Sequence, residues 1–269
     1  MSTAPTLSVG QAISYGWRRS WSNFWRLLLV VIVFAVLNGA ASFIGFGGSF
    51  PTIDTSDPSA AAEALNQLFS WQNTVLGLVS FVAQILVSIF ISLGIIRIAV
   101  AVTAGEDVNV GQAFALRGFG RFLGGSIIVG IVITLGFVIP FAPLLAVSIA
   151  TDSVVWGVIG AIIGVILVIV INLCFSMFGF VIIDKDAPGL SGLGESWRIV
   201  RPRFFPLLGL HILLALISIG LFIAAIVLGV LMIIVGLLVT IPLATVIIFG
   251  LYALSIGSAY RQLTGEPVA

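Results

Sequence analysis

Between Arg203 and Arg261 the chain carries no Asp, Glu, Lys or Arg, and most residues from Leu207 to Tyr260 are apolar or small. A single membrane-crossing helix needs roughly 20 apolar residues. The run is more than twice that, so it predicts two spans joined by a turn. Backbone N–H and C=O groups in hydrocarbon have no water to bond, and a helix is the one open segment that satisfies them internally. The chain is therefore expected to be all-α here, with the turn near Leu237–Pro242 and Pro242 in the first turn of the later helix.

Four further apolar runs have the same character. They predict spans from about Leu27 to Phe46, from Val75 to about Val102, from near Phe122 until Pro140 and Pro143 end or kink it, and from Val154 to Ile183. Only 8% of the 269 residues are charged and 60% are hydrophobic, against roughly 25% charged in a soluble domain. The fold class expected is an all-α polytopic membrane protein with six transmembrane helices in one membrane domain, 1–269. A polar loop between the first two spans carries Pro51, Asp54, Asp57 and Pro58, with a short helix expected from Pro58 to Phe69. No cleavable signal is expected at the N-terminus, because cleavage after Asn38-Gly39-Ala40-Ala41 would remove the first copy of an internal repeat.

That repeat is short and periodic. Val9-Gly10-Gln11-Ala12 returns as Val110-Gly111-Gln112-Ala113 and, more loosely, as Leu193-Gly194-Glu195-Ser196. Ser8 with Gln11 and Asn109 with Gln112 have capping-box spacing, and Gly192 with Glu195 is a weaker version. Each copy thus predicts a helix start, and the apolar stripe Val9, Ala12, Ile13, Gly16, Trp17 predicts a helix lying in the membrane surface. Three units follow, at about 8–104, 109–186 and 192–265, each an interfacial amphipathic helix and two spans. Two spans per unit return the chain to the same side, so the repeats are expected to be parallel.

Ten of the eleven basic residues fall before span one, between spans two and three, between four and five, or after six, and the eleventh, Arg97, comes late in span two near the same side. The opposite side has only Asp54, Asp57, Glu63 and Asp152. The positive-inside rule then places both termini in the cytoplasm of a multi-pass cell (inner or plasma) membrane protein. Arg18, Arg19, Arg117, Arg121, Arg198, Arg201 and Arg203 form a basic collar on that side. Two readings of it stay open. Arginines with Trp17, Trp21, Trp25 and Trp197 can simply anchor and orient the chain; or the guanidinium groups bind anionic lipid headgroups, because their paired donors match phosphate oxygens.

Gln84, Arg97 and Asn172 lie in or near apolar runs and are the candidates for lining a solute pathway; Arg97 is also close enough to a loop to snorkel. His211 is the only histidine and Cys174 the only cysteine, so neither a metal site nor a disulfide within the chain is expected. Asp184, Lys185 and Asp186 are expected to be solvated boundary charges. No nucleophile–histidine–acid set and no phosphate-binding loop is found. No cofactor is expected, and a net charge of +1 points away from nucleic acid.

Val9-Gly10-Gln11-Ala12 with Trp17 to Trp25, Asp184 through Trp197, and the ending Ala259-Tyr260-Arg261-Gln262-Leu263-Thr264-Gly265 carry a resemblance. The chain resembles a broad group of bacterial and archaeal six-span membrane proteins of uncharacterised activity. It is similar to the membrane domain attached to some glycerophosphoryl diester phosphodiesterases. The resemblance implies a fold and a location. It implies no phosphodiesterase activity, since the soluble catalytic domain has no counterpart here. The expected function is a non-enzymatic integral membrane protein acting through anionic lipid, a membrane-protein partner or a second copy of itself at the cytoplasmic face. The alternative is a small-solute or ion transporter, and a weaker third is an enzyme acting on lipid headgroups.

Overall fold

A computed structural model describes residues 7–45, 71–107, 109–232 and 235–269. Among these there are helices and no strands: α1 Val9–Ser22, α2 Phe24–Gly45, α3 Trp71–Thr103, α4 Val110–Ala113, α5 Phe119–Ala150, α6 Val154–Cys174, α7 Phe178–Asp184, α8 Gly189–Val200, α9 Phe204–Leu231 and α10 Val235–Thr264. A 3₁₀ turn, Arg201–Arg203, joins α8 to α9. Six segments are long and apolar enough to cross a membrane: Phe24–Phe43, Thr74–Thr103, Phe119–Ala150, Val154–Asp184, Gly189–Leu231 and Gly236–Thr264. The loop of Pro51, Asp54, Asp57 and Pro58, and the short helix expected from Pro58 to Phe69, lie outside the described residues.

The chain divides into two compact units, one of Met1–Leu28 with Leu93–Ala269 and the other of Leu29–Ser92. In the smaller unit Gln84 Nε2 donates to Ser42 Oγ at 2.6 Å and Ser80 Oγ to the Ala41 carbonyl at 3.4 Å. Polar side chains on apolar helices thus find one another, as interhelical hydrogen bonds do in lipid.

The larger unit is built around α10. Leu251, Ala253, Ile256, Ala259, Tyr260 and Leu263 from that helix meet Ala12 of α1, Ala99 of α3, Phe180 and Val181 of α7, Val200 of α8, and Leu207, Leu210 and Leu214 of α9 in one buried cluster. α5 and α6 form an antiparallel hairpin: a Cβ on Gly164 would meet Phe137, on Gly160 Leu144, and on Gly157 Ser148. Small residues at these crossings bring the helix backbones close, which is how helices gain packing energy where no hydrophobic effect separates them from lipid.

Several boundaries differ from the sequence reading. α5 runs through Pro140 and Pro143 without ending. A break there would strand backbone groups in hydrocarbon, so a helix in this setting tolerates proline better than interruption. The expected fourth span is instead interrupted at Phe175–Met177, where α6 gives way to α7. The turn delivers Met177, Phe180, Val181 and Ile182 into the buried interior. α9 ends at Leu231 and α10 already begins at Val235, so the turn expected at Leu237–Pro242 falls within a helix, and Pro242 is inside α10. Gly229 and Gly236 explain the early turn. A Cβ on Gly236 would sit 2.7 Å from the Gly229 carbonyl oxygen, so this crossing closes only because both residues lack side chains.

The helix starts also depart from expectation. Ser8 occupies the N-cap position of α1, but its hydroxyl makes no capping bond. Its backbone N–H donates to Gln262 Oε1 at 2.8 Å, so Gln262 does what the capping box assigned to Gln11. Asn109 does cap α4, accepting from Gly111 N at 2.9 Å, yet α4 is a single turn. Arg97 explains why: its guanidinium donates to the carbonyls of Ala115 and Arg117, and at 3.4 Å to that of Gln112. Those acceptors satisfied, the chain leaves helical geometry and turns into α5 at Gly118, whose φ of 75° suits glycine. The third start is at Gly189 after Pro188. Gly192 is a buried residue of the first turn, not a cap, with Ile182 2.9 Å from where its Cβ would be.

Candidate functional site

α1 lies against α10 at a crossing that only small residues permit. A Cβ on Gly16 would fall 2.8 Å from the Leu251 carbonyl, and one on Gly250 would fall 2.7 Å from Leu27 Cδ1 and Ser20 Oγ. The buried side of α1 is Ala12, Tyr15, Gly16 and Ser20. Trp17, Trp21 and Trp25 are exposed, with Trp17 and Trp21 in edge-to-face contact at 6.0 Å.

Seating α1 this way opens a cleft of about 700 Å³ between it and the end of α10, lined by Gln11, Tyr15, Arg18, Ser22, Ser258 and Gln262. Arg19 lies on its wall, 5.6 Å from the Tyr15 ring centre. The Tyr15 hydroxyl donates to the Val102 carbonyl at 2.9 Å. Burial raises this phenol above its ordinary pKa, the Arg19 charge opposing the shift, so the hydroxyl stays a neutral donor at physiological pH. Val268 and Ala269 line the far side. There Arg19 donates to the Ala269 carbonyl at 3.0 Å, and Ala269 N donates to the Thr103 carbonyl at 3.2 Å.

Beside the cleft runs an ion-pair network. Arg261 Nη2 is 3.5 Å from Asp184 Oδ1, Nη1 pairs with Glu266, and Nε reaches Thr103 Oγ1 at 3.4 Å. The Tyr260 hydroxyl donates to Asp184 Oδ2 at 3.0 Å. Asp184 was expected to be a solvated boundary charge; its side chain is only 14% exposed and that of Arg261 12%. Its neighbours fit the expectation better: Lys185 pairs with Glu195, and exposed Asp186 takes Arg121 at 2.7 Å.

The collar arginines are thereby sorted. Arg121 is held by Asp186, and Arg198 lies 3.6 Å from Glu195. Arg18, Arg19, Arg117 and Arg201 have no Asp or Glu partner among the described residues. Of these, Arg18 and Arg19 line one and the same cleft. Arg203 is half-buried in the 3₁₀ turn. Of the pathway candidates, Gln84 is bonded to Ser42, Arg97 holds three loop carbonyls, and Asn172 is exposed on α6. His211 Nδ1 is 2.9 Å from the Leu207 carbonyl, its ring edge-on to Tyr252. Among the described residues no three His, Cys, Asp or Glu side chains converge as metal ligands.

Tyr15, Ser258 and Gln262 were not singled out as site residues from the sequence. For Tyr15 a signal existed, since Gln11, Tyr15, Arg18 and Ser22 recur at helical spacing and form one polar face of α1. For Ser258 and Gln262 nothing local points across the more than two hundred residues to α1.

The chain is an integral membrane protein with six candidate spans. No protein-family model matches it, and no curated protein or solved structure is found similar to it.

Proposed function

We propose that the chain is a non-enzymatic membrane protein that holds anionic lipid at its cytoplasmic face, with Arg18 and Arg19 as its principal contacts. In this reading it lies in the inner or plasma membrane with both ends cytoplasmic. Its three hairpin units are parallel repeats, each with its own surface helix. The observation that carries the reading is the pairing pattern. Two neighbouring guanidinium groups face one cleft with no Asp or Glu side chain paired to them among the described residues, Arg19 being met there by the Ala269 main-chain oxygen. An uncompensated guanidinium beside exposed tryptophans is suited to phosphate at headgroup depth.

Each basic side chain near an anionic surface contributes about 1 kcal/mol. Reversing both charges in R18E/R19E is therefore expected to lower co-purifying anionic lipid at least about tenfold, measured by mass spectrometry after extraction in native-lipid discs. Unchanged lipid content would refute the reading. Reporter tags placed after Gly105 and after Ala269 are expected to be accessible from the same compartment. Opposite compartments would overturn both the topology and the parallel repeats.

A further inference from the structure

The cleft between α1 and the end of α10 has more than charge. Arg18 and Arg19 supply two cationic forks, while Ser22 and Ser258 offer hydroxyls and Gln11 and Gln262 offer amides around the same space. Its volume of about 700 Å³ falls within the range of small-ligand sites and exceeds what one phosphate fills. One wall is the last turn of chain. The Ala269 oxygen accepts from Arg19 while Ala269 N holds the Thr103 carbonyl, and the Glu266–Arg261 ion pair anchors the strap before it.

Resting on the lipid reading above, we propose that this cleft is a phosphomonoester subsite, in which a ligand phosphate displaces the Ala269 oxygen from Arg19. A monoester phosphate carries a charge of about −1.5 to −2 near pH 7, whereas a phosphodiester carries a single one. Once the Ala269 oxygen is displaced, two guanidinium groups with no Asp or Glu side chain on the cleft lining match the doubly charged group better, and bidentate geometry adds selectivity. Phosphatidic acid presents this group at the membrane surface; glycerol 3-phosphate presents it in solution. The chemistry is shared, and the exposed tryptophans on α1 favour the lipid source.

The test uses the full chain purified in detergent, with native mass spectrometry and thermal shift as readouts. Dioctanoyl phosphatidic acid, dioctanoyl phosphatidylglycerol and glycerol 3-phosphate are titrated separately. The wild type is expected to bind phosphatidic acid about tenfold more tightly than phosphatidylglycerol, and R18Q/R19Q to lose that preference. Val268→Glu leaves both arginines in place and puts a competing carboxylate on the cleft wall. It is expected to weaken phosphatidic acid binding in a protein whose unliganded melting temperature and elution volume match the wild type, which separates loss of the site from loss of the fold. Saturable, arginine-dependent binding of glycerol 3-phosphate as tight as that of phosphatidic acid would support the subsite and assign it a soluble ligand. Equal binding of the two lipids by the wild type, or a preference that survives R18Q/R19Q, would overturn it. If both lipids bind equally and R18E/R19E still strips anionic lipid, the subsite fails and the broader lipid reading stands. If no variant binds either lipid, both fail.

Discussion

Replacing Arg261 with alanine is expected to destabilise the folded protein by about 3 kcal/mol or more, as removal of one partner from a buried ion pair does. The size follows from what is left behind. Asp184 and Glu266 both lean on this guanidinium, and Asp184 is largely shielded from solvent. Without Arg261, Asp184 keeps the Tyr260 hydroxyl as a hydrogen-bond donor, and no other cation pairs with it among the described residues. Arg261 also reaches Thr103 at the end of α3, so the substitution loosens the junction of α3, α7 and α10 together. The measurement is equilibrium unfolding in mixed micelles. Neutralising the acid as well tests the cause: Asp184→Asn combined with Arg261→Gln is expected to be less damaging than Arg261→Ala alone, because the more deeply buried of the two carboxylates is no longer left charged without its partner. If the double variant is worse, the ion pair is not what the arginine contributes.

That pair also marks where reading the sequence stopped. The six spans were legible because lipid imposes one solution on a long apolar run, and length alone reveals it. The Asn109 cap was legible because capping is local. Asp184 and Arg261 stand far apart along the chain, each next to polar residues, and each looks solvated by itself. Only the seating of α7 against α10, through Phe180 stacked on Tyr260 at 5.3 Å, removes both from water. The turn before α10 was placed too late for a related reason. Leu231 and Met232 are exposed apolar residues, so neither polarity nor charge marks the turn, and Pro242 was the nearest conventional signal. The informative residues were Gly229 and Gly236, whose meaning depends on facing each other.

The site divides in the same way. Arg18 and Arg19 were visible as part of a seven-arginine collar, but a sequence cannot say which arginines are already neutralised. Arg121 finds an acid in the loop before α8, and Arg198 one a turn back on α8 itself; Arg18 and Arg19 are instead set against Ser258 and Gln262 by the crossing of α1 with α10. Arg97 shows the opposite outcome. A charge near the end of a span suggested snorkelling or a pathway, and its donors are used to shape the loop that shortens α4.

Because the cleft exists only where α1 seats on α10, Gly16 controls both stability and binding. Gly16→Val is expected to destabilise the protein by about 3 kcal/mol, at the upper end of overpacking effects. A Cβ there would lie 2.1 Å from Ser255 Oγ, 2.8 Å from the Leu251 carbonyl and 2.9 Å from Ser255 N. The hydroxyl can rotate away, but the backbone atoms belong to the middle of a 30-residue helix and cannot yield, so α1 must lift. Lifting it separates Arg18 and Arg19 from Ser258 and Gln262, and retention of anionic lipid is expected to fall with the melting temperature. Gly10→Ala supplies the contrast within the same helix. Nothing lies within 4 Å of a Cβ at that position, and alanine is favoured over glycine in a helix by up to about 1 kcal/mol. It is expected to raise the melting temperature and leave lipid retention unchanged. Were the two substitutions to act alike, the helix as such would be sensitive there, and the close crossing at Gly16 would not be what seats it.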